Sequence, residues 1–315
     1  MPARRLLIDC DPGVDDALAL ILAFAGADVR APAVTTVAGN APVHISTRNA
    51  LRVLAVACPQ DAPPVHQGAA GPLSGIERER ALHVHGEDGL GNLDPRRYPD
   101  PSAGPVPPPA PEAILHWARR LPDEITLVAT GPLTNVAAAV RSDPEGMRKL
   151  RGIVIMGGAV RVPGNVTPHA EFNIWSDPEA LEVLLAEGIP MVLVPLDVTH
   201  QVVLTRRHLD RLAGGDPRTR LIHDCTHGYL ELHQASRGLD GCFLHDPLAL
   251  GVALDPSFVQ MEELELQVVT GDAEDRGKTL EAAPGRSGRP GGRVRVCTAV
   301  DAERFIEFFL RRVGG

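Results

Sequence analysis

The chain has 315 residues, 44% of them hydrophobic and 23% charged, with a formal net charge of −9. That is ample apolar material for a large core, and the acidic balance speaks against a nucleic-acid partner, which asks for a basic surface. No run reaches the ~18 consecutive apolar residues of a membrane span, so no membrane partner is expected either.

Met1-Pro2-Ala3-Arg4-Arg5 leads straight into an apolar run, without the core or cleavage site of a signal peptide. The five cysteines, Cys10, Cys58, Cys225, Cys242 and Cys297, are scattered and form no C-x-x-C pair. They read as reduced thiols, and the expected location is the cytoplasm. Length alone suggests two domains, but α/β chains of this size are often one. No repeat or linker divides the sequence, so a single domain over 1–315 is expected.

Leu6-Leu7-Ile8 reads as a buried strand, Pro12-Gly13 as a tight turn and Ala17 to Ala23 as a helix. Between strand and helix stands Asp9-Cys10-Asp11-Pro12-Gly13-Val14-Asp15-Asp16, with four carboxylates in eight residues. Asp15 and Asp16 fall in the first helical turn, where the macrodipole favours negative charge. Capping accounts for one or two such aspartates but poorly for four. Carboxylates this close repel unless a cation sits among them, and clustered carboxylate oxygens suit calcium or magnesium. An EF-hand is excluded, since a loop begun at Asp9 puts Leu20 where the closing Glu belongs.

Val34 to Val37 is a second strand, followed by Asn40, and residues 43–57 carry helical spacing. A short strand lies within Pro64 to Gly68. Residues 69–110 are a long irregular stretch ending in a proline-rich run. Such loops are usually functional or disordered. His83-Val84-His85-Gly86-Glu87-Asp88-Gly89-Leu90-Gly91 marks this one as a candidate active-site flap; the alternative is an ordinary glycine-rich surface loop.

Alternation resumes with a helix at 112–120, a strand at 125–129, the turn Thr130-Gly131-Pro132 and a helix at 133–142. A strand at 153–156, a helix at 177–187 and a strand at 191–194 follow. This βαβα run predicts an α/β fold: a mostly parallel, open twisted sheet flanked by helices. Ligands of such sheets bind beyond the carboxyl ends of the strands. Asp9, Asp11, Asp15 and Asp16 follow the first strand, Asn40 the second, Thr130 and Asn135 the third long one. Met156 and the segment Asn165 to Asn173 follow the next. One asparagine after a strand is usually a turn former; together these residues converge on one rim. Asn165, Glu171 and Asn173 offer donors and acceptors suited to sugar hydroxyls. Asp177 and Glu179 read as helix capping.

In the last third, residues 205–213 and 217–238 look helical. His245-Asp246-Pro247 opens an apolar helix. A cap followed by proline is the plain reading; the chemical one sets a titratable imidazole beside a carboxylate metal ligand. Strands near 258–269 and 293–298 flank a basic hairpin tip, Gly285 to Arg293, and a final helix begins at Asp301.

These residues carry a family resemblance. Asp9-x-Asp11-Pro12-Gly13-x-Asp15-Asp16 resembles the signature of the inosine-uridine preferring nucleoside hydrolases. The likeness continues through Thr35-Thr36-Val37-Ala38-Gly39-Asn40, His85-Gly86-x-x-Gly89-Leu90, Ala129-Thr130-Gly131-Pro132-Leu133-Thr134-Asn135, Met156-Gly157-Gly158 and Glu171-Phe172-Asn173, and closes with His245-Asp246-Pro247. It implies a Rossmann-like nucleoside hydrolase fold and calcium-dependent hydrolysis of ribonucleosides to ribose and free base, in nucleoside salvage or catabolism. It implies one calcium ion per subunit, held by Asp11, Asp16, Asp246 and the Thr130 backbone carbonyl, with Asp9 in support. Asp15 matches the general base, and His245 the acid for the leaving base. Asn40, Met156, Asn165, Glu171 and Asn173 match the ribose pocket; His85 and Tyr229 match positions near the base. Homologues are commonly homodimers or homotetramers. His233 departs from several relatives, which carry Tyr there, and the base-side residues leave pyrimidine, purine and broad preference open.

Two other readings remain. A haloacid-dehalogenase-type phosphatase would use Asp9 and Asp11 as nucleophile and acid, but Gly13 stands where Thr or Val belongs, and Asp15 and Asp16 have no role in it. A non-catalytic calcium-dependent nucleoside binder would not need both Asp15 and His245.

Overall fold

Successive side chains of the first strand, β1 (Arg4–Cys10), serve two different cores. Leu6, Ile8 and Cys10 join one apolar cluster and Leu7 the other. That is the two-residue period of a strand whose sheet is covered on both faces. The computed structural model describes residues 3–76, 80–101, 107–212, 215–271, 274–282 and 291–315.

The remaining strands are β2 (Val29–Arg30), β3 (Val34–Thr36), β4 (Val65–Gln67), β5 (Ile125–Ala129), β6 (Gly152–Met156), β7 (Met191–Val194), β8 (Val203–Thr205), β9 (Gly241–Phe243), β10 (Val259–Val268), β11 (Thr279–Glu281) and β12 (Gly292–Val300). Among the described residues, ten of them form one sheet in the order β11-β10-β12-β7-β6-β5-β1-β3-β4, with β2 beside β1. Every pairing from β4 across to β12 is parallel. β10 runs antiparallel to both β11 and β12. β8 and β9 form a separate antiparallel ribbon.

The helices are α1 (Val14–Phe24), α2 (Val43–Ala57), α3 (Leu82–His85), α4 (Ala110–Arg120), α5 (Thr134–Ser142), α6 (Pro144–Met147), α7 (Phe172–Ser176), α8 (Pro178–Glu187), α9 (Leu196–Thr199), α10 (Arg206–Asp210), α11 (Pro217–Arg237), α12 (His245–Leu254) and α13 (Ala302–Val313). α1, α2, α11, α12 and α13 cover one face of the sheet, while α4, α5 and α8 cover the other. α1 is buried from Val14 to Ala23. Hence, after Asp15 and Asp16 in its first turn, its sequence is apolar all round instead of striped. Among the described residues, no helix is long and apolar enough to cross a membrane.

After β1 the chain builds β3 and β4 on one side, then returns to place β5 on the other. The strand order therefore reverses between β1 and β5, and the crevice at their carboxyl ends is where such sheets bind ligands. Asp11 and Thr130 leave the sheet at that point.

Several elements differ from the sequence reading. β2, β8, β9 and β11 are only two or three residues long. Strands that short carry no readable period. The helix expected over 205–213 is the shorter α10, opened by a Thr205 cap. Arg293 belongs to β12, and the rest of the expected basic hairpin tip lies almost wholly outside the described residues.

The stretch 69–110 contains α3, and its middle is folded onto the molecule. Asp88 accepts backbone N–H groups from Leu90, Asn92 and Leu93 at 2.8–2.9 Å. Tyr98 donates its hydroxyl to Asp224 of α11 at 2.9 Å. Gly91 has φ +79°, and a Cβ there would sit 2.4 Å from the Cys225 carbonyl oxygen. Gly91→Ala is therefore expected to cost about 1–3 kcal/mol in urea denaturation, through strain and overpacking together. Unchanged stability would mean that the loop does not press on α11 as described.

Candidate active site

The turn after β1 delivers three aspartates to the switch point at once. At the start of α1, two backbone donors without helical acceptors find side chains instead. Asp16 Oδ2 accepts from Gly13 N at 3.0 Å, and His85 Nδ1 accepts from Val14 N at 3.1 Å. Asp16 Oδ2 also accepts from Asn40 Nδ2 at 3.3 Å, and Oδ1 accepts from Thr130 Oγ1 at 2.8 Å. Asp11 Oδ2 accepts from Asn40 N at 2.6 Å, while its buried Oδ1 has no hydrogen-bond partner. Asp246 arrives from the first turn of α12. Asp15, Asp16 and Asp246 each bring a carboxylate oxygen within 4.8 Å of the others.

Beneath them, Asp9 ties three elements together. Its Oδ1 accepts from Thr35 Oγ1 at 2.6 Å and from Asn135 Nδ2 at 2.8 Å, and its carbonyl accepts from Thr130 N at 2.8 Å. Asn135, read from sequence as one of several polar rim residues, is fully buried and works as this tie.

Burial, followed by the charge of Asp16, pushes the Asp15 carboxyl up to about 7. Burial pushes Asp16 and Asp9 to about 6, and Asp11 and Asp246 well above the ordinary carboxylate range. The charges that raise these groups are one another's. The set is all oxygen, buried, mutually repelling and partly orphaned. Those are the properties of a site for a hard divalent cation, which removes the cost of burying the charges.

Above this floor opens a cavity of about 560 Å³. Of the residues singled out in the sequence, Asp15, Asn40, His85, Thr130, Met156, Asn165, Glu171, Asn173, Tyr229, His245 and Asp246 line it. Asp9, Asp11 and Asp16 do not; they are buried at 0–1% exposure. On one wall, Asn173 Nδ2 donates to the Thr130 carbonyl at 2.7 Å. Glu171 accepts three backbone N–H groups, from Gly158, Asn173 and Ile174, at 2.8–3.1 Å. It thereby caps α7 as well as facing the cavity. Asn165 Oδ1 accepts from Phe172 N at 3.0 Å.

Another part of the lining is a ladder of rings. His85 stacks on Tyr229 at 5.4 Å, Tyr229 meets His233 at 4.4 Å and His233 meets Phe243 at 5.5 Å. Phe243 lies 5.5 Å from His245. Burial, then neighbouring imidazoles, holds His245 well below its ordinary value, and burial lowers His85 to about 3. His245 Nδ1 lies 2.7 Å from Thr199 Oγ1.

Sequence reasoning did not place Thr199, Phe243 or Arg237 here, and it left His233 without a role. Nothing in the sequence marks Thr199. Tyr229, His233 and Arg237 stand four residues apart on α11, and that spacing puts them on one helical face. Asp177 caps α8, as read, and its other oxygen also accepts from Leu73 N and Thr134 Oγ1. Glu179 is not a cap: it forms a two-pronged ion pair with Arg276 at 2.7 and 2.8 Å.

A parallel α/β sheet with a polar cavity at its switch point is the architecture of an enzyme acting on a small ligand. A family model described as inosine-uridine preferring nucleoside hydrolase matches residues 6–307, and the chain belongs to that family. It is accordingly a hydrolase, a glycosidase acting on N-glycosyl compounds. It is 35% identical to the probable uridine nucleosidase 2 of Arabidopsis thaliana, over 98% of this chain and 97% of that one. It is 37% identical to the pyrimidine-specific ribonucleoside hydrolase RihA of Citrobacter koseri, over 99% and 98%. Among solved structures, it superposes on a plant nucleoside hydrolase with TM-score 0.92 and 34% identity, each chain covered in full. A purine-preferring ribonucleoside hydrolase from Gardnerella vaginalis gives TM-score 0.90 at 30% identity, over 99% and 98% of the two chains. The family match sets the phosphatase reading aside.

Proposed function

We propose that the chain hydrolyses the N-glycosidic bond of ribonucleosides, with one calcium ion per subunit and uridine and cytidine as preferred substrates. The observation that carries this reading is the convergence of Asp15, Asp16 and Asp246 within 4.8 Å at the floor of the cavity. On this reading Asp11, Asp16, Asp246 and the Thr130 carbonyl hold the ion, and Asp9 supports them. That carbonyl already accepts from Asn173, but it keeps a second lone pair. When bound, the ion neutralises the carboxylates, orients the ribose diol and makes a water more acidic.

The chain's own residues do the rest. Asp15, the carboxylate of the acidic turn that lines the cavity, takes a proton from the attacking water. Positive charge builds on the sugar as the bond breaks, and the acidic floor faces it. Asn40, Asn165, Glu171 and Asn173 hold the ribose hydroxyls, with Met156 packed beside them. His85 and Tyr229 face the base. Burial keeps His245 neutral, so it assists the leaving base as a hydrogen-bond donor from Nε2, with Nδ1 turned to Thr199. The pyrimidine preference is supported by relatives named for uridine and for pyrimidines. Residues 69–110 act as the flap, and a cytoplasmic homodimer or homotetramer working in nucleoside salvage or catabolism completes the reading.

The test is free-ribose release from uridine, cytidine, inosine and adenosine, each with and without a chelator. Release fastest from the pyrimidines, abolished by chelation and restored by calcium, is the expected result. A purine ranked first would overturn the base preference. No release from any of the four, with calcium present and the protein folded, would leave a nucleoside-binding protein instead.

A further inference from the structure

We infer that Arg276 is a positioning residue for the sugar side of the cavity, acting through the segment that carries Asn165, Glu171 and Asn173. The inference rests on the ribose-binding role proposed above for those three residues.

Arg276 lies in the connection between β10 and β11, far from the cavity in sequence, and is only 4% exposed. Its fork is almost fully used. Nη1 and Nη2 reach the two Glu179 carboxylate oxygens at 2.7 and 2.8 Å, and Nη1 also donates to the Gly271 carbonyl at 2.8 Å. Nε donates to the Trp175 carbonyl at 3.3 Å. Glu179 accepts in addition from Gly271 N at 3.2 Å. The connection is thus clamped onto the junction of α7 and α8.

Two further contacts bring this connection to the sugar-side segment itself. Lys278 bridges Ala170 as an isolated antiparallel pair. Gly277, at φ +77°, lets the backbone pass so close to Trp175 that a Cβ would lie 2.6 Å from its Cα. The connection therefore grips the segment at 170 and at 175, and Glu171 and Asn173 stand between the two grips. Asn173 makes its 2.7 Å bond to the Thr130 carbonyl from this held position.

A buried ion pair is weak evidence for stability, because two well-packed apolar side chains serve as well. What the guanidinium adds is a planar set of donors that fixes direction, which a lysine ammonium does not. Placement of α7 is the property that needs such a fixed direction. A misplacement of about 1 Å at a binding group costs up to about 10²-fold in rate.

The experiment compares the wild-type enzyme with Arg276→Met, Arg276→Lys and Glu179→Gln. For each, kcat and KM are measured on uridine, 3′-deoxyuridine and 5′-deoxyuridine, alongside Tm. Arg276→Met is expected to lower kcat/KM for uridine by about 10–100-fold. Its preference for uridine over the deoxy analogues should shrink with it, because a displaced grip no longer rewards the missing hydroxyls. Glu179→Gln should repeat that loss of preference, and Arg276→Lys should recover part of it. Should Arg276→Met fail to fold, the other two variants carry the comparison. A preference that stays at the wild-type value in every folded variant, however far Tm falls, overturns the positioning role and leaves a purely structural clamp. A wild-type enzyme that releases no sugar from any nucleoside overturns the functional reading, which is a distinct result.

Discussion

Replacing Asp15 by asparagine is expected to lower kcat for ribose release by at least about 10²–10⁴-fold while nucleoside binding is retained. Asn matches Asp in shape and keeps the hydrogen-bonding volume of the side chain, so the floor of the cavity is not emptied. The variant loses the negative charge of the carboxylate and with it the capacity to accept a proton. Asp15 is the one aspartate of the acidic turn that lines the cavity; Asp9, Asp11 and Asp16 lie beneath it. On the proposed reading it stands beside the water that attacks the sugar and takes that water's proton. Steady-state kinetics with calorimetric titration of uridine separate the two effects. A variant with near-normal kcat would remove Asp15 from the role of base. A variant that no longer binds uridine would assign it to substrate or ion retention instead.

Much of this site was legible because parallel sheets buried on both faces write themselves as apolar runs. Leu6-Leu7-Ile8, Ile125 to Ala129, Gly152 to Met156 and Met191 to Val194 all read directly as strands, and the rule that ligands gather at their carboxyl ends did the rest. The acidic turn was legible because four aspartates exceed what capping requires. Other features depend on contacts between distant parts of the chain. His85 was expected beside the base, yet it also accepts the Val14 amide, 71 residues away, and so finishes the start of α1. Glu171 was read as a sugar contact and is in addition the cap of α7. Glu179 looked like one more acidic residue in a first turn, and only the fold brings Arg276 to it. The places of His233 and Arg237 in the lining were within reach of the sequence, since their spacing from Tyr229 is helical. The strand β9, which sets Phe243 beside them, is too short to be seen.

Chelation is expected to remove activity completely and also to invert the pH dependence of stability. The carboxyls of Asp15, Asp16 and Asp9 are raised by burial from an ordinary value of 3.8 to about 7, 6 and 6. Without a cation, the folded chain therefore holds protons that the unfolded chain has already released. Stability falls with rising pH wherever the folded state binds more protons. The stabilisation is complete below about pH 4 and is lost as pH rises from there through about 7. Each pH unit over which one such group stays protonated only in the folded state costs about 1.4 kcal/mol. The proposed calcium ion is expected to reverse the sign, because a cation that needs ionised carboxylates binds more tightly as protons leave, and binding to the folded state alone adds stability by mass action. Thermal melts at pH 5, 6, 7 and 8 give the comparison directly. The chelated protein should melt at steadily lower temperature across that series, and the calcium-loaded protein should hold or gain. A chelated protein whose Tm is flat or rises from pH 5 to 7 would mean that the aspartates carry little repulsion, and the case for a cation among them would go with it.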